Sequence, residues 1–140
     1  MNIQQAHNLS SSFWLAHQRC MEQRALPNGQ MQLPMVPAIV CAALSIEIGF
    51  KAIILSAGSQ SSGHKLADLY NKLPPEYQSL ILGEVGIDET CFQKELLLVS
   101  NAFVEWRYIY EQEQMQINIE FLNRLALATH NASTHARPSA

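Results

Sequence analysis

The sequence predicts an all-α fold: an up-and-down bundle of four long helices with one or two short ones. Two observations carry this. Apolar residues recur at alternating spacings of three and four in four separate stretches, the period of a helix with one buried face. No extended run shows two-residue alternation between hairpin residues. The lengths and connections suit a bundle.

The first helix is expected from about Gln4 to about Gln23, with Ala6, Leu9, Phe13, Ala16 and Cys20 as its apolar stripe. His7 and His17 lie off that stripe and are expected in solvent. Arg24 to Pro37 reads as a connector, with Pro27-Asn28-Gly29 as a turn. The chain is then organised around Pro37 to Gly58, its longest apolar run. Pro37 suits a first helical turn and Gly58 a left-handed stop. On one face Ala38, Ala42, Ser45, Gly49, Ala52 and Ser56 form a seam of small side chains, which lets another backbone come close. Gly49 costs roughly 1 kcal/mol relative to Ala inside a helix, and close packing would compensate it. The seam can face a helix of the same chain or a second copy.

The opposite face carries Val40, Leu44, Glu47, Lys51 and Ile54. Glu47 and Lys51 are one turn apart, either as a half-exposed ion pair or with Glu47 buried and requiring a cation or ligand. A membrane span is not expected of a segment with two charges near its middle.

After Gly58 comes a flexible loop, SQSSG. A short helix should run from about His64 to Leu73, capped by Ser62 or Gly63, and another from Pro75 to Gly83. Asp88 is placed to cap the next, a long helix whose stripe is Phe92, Leu96, Val99, Phe103, Trp106 and Tyr110. Beside it runs the row Ser100, Val104, Arg107 and Glu111. An Arg fork suits a partly buried carboxylate, so Glu47 is expected to pair with Arg107 across the bundle. The last helix, from about Gln114 to Thr129, carries Ile117, Phe121, Leu125 and Ala128. The domain is therefore 1–130, and 131–140, NASTHARPSA, is expected to be disordered.

At 48% hydrophobic and 15% charged, the chain cannot be wholly disordered. Its formal charge of −3, with no basic run, argues against strong non-specific nucleic-acid binding by phosphate neutralisation, and no DNA partner is expected. Residues Met1 to Leu9 hold neither a basic nor an apolar signal region. Cys20, Cys41 and Cys91 are odd in number and widely separated, which points to reduced thiols and a cytoplasmic protein. No metal or cofactor is expected. His64 and Asp68, four apart, read as a surface hydrogen bond rather than a ligand pair. SAGSQSSG lacks the Lys-Ser/Thr ending of a phosphate loop. No nucleophilic triad can be assembled. A ligand entering near the end of the apolar helix would meet His64, Lys51 and Arg107; the competing reading is that His64 packs the turn.

Taken in order, these elements resemble the HEPN (higher eukaryotes and prokaryotes nucleotide-binding) family over about residues 35 to 125. The resemblance rests on Glu47-x-x-x-Lys51 in an apolar helix, then Gly63-His64-Lys65-Leu66-Ala67-Asp68-Leu69-Tyr70 running into Leu73-Pro74. Phe103 to Tyr108 and Glu111 complete it. It implies a four- or five-helix bundle, commonly a homodimer. Many members cut RNA in bacterial toxin–antitoxin or defence systems through Arg-x(4–6)-His. Arg124 and His130 form the matching pair here, although Leu125 stands where that pattern prefers a polar residue. The resemblance therefore implies first a non-catalytic bundle that binds a nucleotide-like ligand or an antitoxin-like protein partner through Glu47, Lys51, His64 and Arg107. Its second implication is a metal-independent ribonuclease that uses Arg124 and His130. A third reading is a structural, dimeric interaction protein.

Overall fold

The computed structural model describes residues 1–104 and 117–136. Among them are four long helices and two shorter ones. These are α1 (Ile3–Cys20), α2 (Met35–Ser56), α3 (Leu66–Asn71), α4 (Pro75–Val85), α5 (Glu89–Val104) and α6 (Ile119–Ala136). The fold is mainly α, as the spacing of apolar residues predicts.

α2 is the axis of the bundle, packed against α1, α3 and α6. A helix that is apolar all round has to be covered on most sides. Ile46, Phe50, Ile53 and Ile54 are fully or almost fully buried. α2 is also the one helix among the described residues long and apolar enough to cross a membrane; here its apolar surface is largely enclosed by the other helices. The small-residue seam faces α1 and α6 of the same chain. Ser10 Oγ donates to Ser45 O at 2.8 Å, and Ser45 Oγ returns a bond to Ser10 O at 3.0 Å. Further along, His17 Nδ1–H donates to Ala38 O at 2.8 Å. Residue numbers rise on α1 as they fall on α2, so the two helices are antiparallel.

These bonds overturn the expectation that His7 and His17 are solvated. Both are buried, as is Ser10, whereas Leu9 is exposed. Ala6 of the expected stripe is buried, but the other buried residues of α1 are the polar row His7, Ser10 and His17, because close backbones bring carbonyls within reach of short side chains. His7 lies between two hydroxyls: Ser133 Oγ at 2.7 Å from Nδ1 and Ser56 Oγ at 3.3 Å from Nε2. Ser56 Oγ donates its proton to Ala52 O. His7 therefore donates from Nε2–H and accepts from Ser133 at Nδ1.

Other boundaries move for local reasons. The connector contains a minimal antiparallel hairpin, Arg24–Ala25 with Met31–Gln32, too short to alternate visibly in sequence. Its turn uses Gly29 at φ 84°. Gly83 does not end α4; the stop is Gly86, at φ 78°. α3 starts at Leu66 and has no side-chain cap from Ser62 or Gly63. Instead Ser100 Oγ on α5 accepts the Ala67 N–H at 3.2 Å, one of the orphan donors of a helix start. Asp88 caps α5 as expected, accepting from Cys91 N–H at 2.9 Å. That bond holds its carboxyl below the usual carboxylate range. Phe92, Leu96, Val99 and Phe103 are buried as their spacing predicts; Trp106, Arg107, Tyr110 and Glu111 lie outside the described residues.

α6 begins two residues beyond Ile117, with Asn118 accepting the Phe121 N–H, and it does not end at Thr129. It continues to Ala136, with Ala132 and Ser133 buried, so residues 131–136 are not a disordered tail. Their small side chains fit close to α1, and Asn131 donates to Glu84.

At Gly49 the neighbouring helices leave no room for a side chain. A Cβ built there would stand 2.7 Å from Thr129 Cγ2 and 3.0 Å from Ser10 Oγ. Gly49→Ala should therefore destabilise the protein by about 1–3 kcal/mol through overpacking, despite the helix-propensity gain of about 1 kcal/mol. Urea denaturation measures this, and Thr129→Ser, which removes Cγ2, should recover part of the loss. A variant as stable as the wild type would contradict the packing.

Candidate functional site

The face of α2 opposite the seam opens into a cleft of about 670 Å³, closed by α3, the loop before it and Phe103 of α5. That volume lies within the range of small-molecule sites, roughly 300–1,000 Å³. Val40, Ala43, Leu44, Leu66 and Phe103 supply apolar lining; Glu47, Ser62, His64, Lys65, Asp68 and Lys72 supply polar groups.

Glu47 projects from α2 into the cleft because Val40, Ala43, Leu44 and Glu47 share one helical face. Its side chain is only 16% exposed, and Lys51 Nζ lies 3.3 Å from Oε2. Both earlier readings of this pair hold in part: it is an i,i+4 contact, and its carboxylate is largely withdrawn from water. A second partner comes from the loop. His64 Nδ1 is 3.3 Å from both carboxylate oxygens, on a ring 82% exposed. Since α3 begins after His64, the expected one-turn relation of His64 to Asp68 does not arise, and His64 turns to Glu47 instead. The loop bends there through Gly58 at φ 83° and Gly63 at φ 93°, conformations that glycine adopts without strain.

Three of the four predicted ligand-binding residues, Glu47, Lys51 and His64, are thus brought together. Arg107 lies outside the described residues, and with it the proposed Glu47–Arg107 pair. Lys65 and Lys72 were not singled out in the sequence. They flank α3 seven residues apart, a two-turn spacing that places both on one side of it. Among the described residues no group of three His, Cys, Asp or Glu could hold a metal.

Arg124 and His130 are not brought together. Six residues on an α-helix turn through about 240° and rise about 9 Å, so the two leave α6 on different sides. Arg124 donates to Val85 O at 3.3 Å and pairs with Glu120 at 2.8 Å. It thereby serves the C-terminal end of α4, where unpaired carbonyls favour a cation. His130 stacks on Trp14, with ring centroids 4.0 Å apart and planes within 5°.

No family model matches this chain, and no curated protein or solved structure matches it either.

Removing the Lys51 charge tests how far the cleft withholds Glu47 from water. Lys51→Met keeps the aliphatic stem and leaves the carboxylate with His64. It should lower stability by about 1 kcal/mol, against about 0.3–0.5 kcal/mol for an exposed pair of this spacing. Thermal denaturation gives the difference, and no measurable loss would mean that water solvates Glu47 fully.

Proposed function

We propose that this chain is a non-catalytic, HEPN-like helical bundle that binds a nucleotide-like ligand in the cleft between α2 and α3. The observation that carries the reading is the cleft's division of labour. Apolar side chains line it for a flat ring, a largely buried carboxylate offers hydrogen-bond acceptors, and Lys65 and Lys72 stand ready for an anion. The chain as a whole is negative, at −3, yet Lys51, Lys65 and Lys72 gather at or beside this one cleft. The three free thiols fit a reducing, cytoplasmic setting. A homodimer and an antitoxin-like partner, the other implications of the resemblance, belong to the same proposal.

The ribonuclease reading has less support. General acid–base cleavage with charge stabilisation needs both groups at one phosphate, and Arg124 and His130 diverge on α6 while making packing contacts of their own.

Isothermal titration with purine and pyrimidine nucleoside monophosphates should give saturable binding, weakened at least about tenfold by charge reversal in Lys65→Glu/Lys72→Glu. No heat at millimolar ligand would defeat the binding proposal. Mixed single-stranded RNA should survive incubation with the protein; cleavage that disappears in His130→Ala would instead establish the ribonuclease.

A further inference from the structure

We propose that Glu47 makes this cleft selective for guanine among the nucleobases. The inference rests on the nucleotide reading above and adds to it which base is chosen and why.

An ionised carboxylate accepts hydrogen bonds and donates none. Whatever ring edge meets Glu47 must therefore present N–H donors and no lone pair. Among the common bases guanine alone offers two adjacent donors, N1–H and the N2 amine, at the separation of two carboxylate oxygens. Adenine and cytosine each set a ring-nitrogen acceptor beside their amine, and that lone pair would face a carboxylate oxygen. Uracil offers one ring N–H between two carbonyls. Hypoxanthine keeps N1–H but lacks the amine.

Glu47 has the capacity for this. Its current contacts, one to Lys51 and one shared by His64, are all 3.3 Å, longer than the 2.7–2.9 Å of strong charge-assisted bonds. His64 is 82% exposed and can swing into solvent, leaving both oxygens to an incoming edge while Lys51 stays beside the carboxylate. With Glu47 only 16% exposed, water competes weakly for those oxygens, and a mismatched edge leaves a buried acceptor unpaired. Phe103 and Leu44 are available to the faces of the ring, and Lys65 and Lys72 to the phosphate.

The test is isothermal titration of the wild type and Glu47→Gln with GMP, IMP and AMP, with circular dichroism verifying that the variant is folded. The wild type should bind GMP about tenfold or more tighter than AMP, the scale of a two-donor contact to a base edge, with IMP between them. Glu47→Gln should bind GMP and AMP alike, because its amide places a donor against one of guanine's. Equal wild-type affinities for GMP and AMP would overturn guanine selection and leave nucleotide binding intact. So would a preference that survives in Glu47→Gln. Binding of none of the three would overturn the nucleotide reading itself. The wild-type comparison decides the matter even if Glu47→Gln fails to fold.

Discussion

The close approach of α1 and α6 to α2 is the constraint on which the rest of the structure depends. It is set by the seam of small side chains and leaves nothing to spare at Gly49, where the space for one methyl group is already taken by Thr129 and Ser10. At that distance short polar side chains can reach the carbonyls of the facing helix. Ser10, Ser45 and His17 each do so, and each bond offsets the cost of burying a polar group. The usual arrangement of an amphipathic helix is partly inverted. α1 turns histidines and a serine inward and leaves Leu9 and Leu15 exposed.

Using one side of α2 for this contact fixes what the other side can be. Among the described residues, those opposite the seam, Val40, Leu44, Glu47 and Lys51, receive the short α3, its preceding loop and the end of α5. Short elements do not cover a helix of 22 residues, and the cleft is what they leave. Ser100 tightens the arrangement by binding the start of α3, so α5 positions the wall that carries Lys65 and Lys72. Packing on one face and the cleft on the other are two consequences of one sequence pattern.

That pattern explains what could be read in advance. α2 and α5 are legible because their buried residues are apolar and recur at helical spacing; Phe92, Leu96, Val99 and Phe103 fall where periodicity puts them. α1 is misjudged because, Ala6 apart, its buried residues are polar, and hydrophobicity ranks His7 and His17 with solvent. The last turns of α6 are missed because NASTHA is small and polar in composition, although smallness is what lets Ala132 and Ser133 pack. In the site, Glu47–Lys51 is visible as an i,i+4 pair. The approach of His64 to Glu47 is not, since it depends on a loop whose path two positive-φ glycines set. Lys65 and Lys72 were legible as a seven-residue spacing but carried no apolar stripe to draw attention to them.

The distribution of charge bears differently on the proposed ligand site and on the Arg124–His130 pair. A catalytic pair must hold its groups free to meet a reacting phosphate, but Arg124 is committed to Val85 O and Glu120, and the ring of His130 lies flat on Trp14. Moving either would expose an α4 carbonyl or part a stacked pair. The groups around Glu47 are under the opposite regime. Lys51 and His64 contact it at long distances, and His64, Lys65 and Lys72 are exposed, so a ligand can replace or join these contacts without disturbing the core. Loosely held polar groups around a largely buried carboxylate are what the proposed ligand site requires.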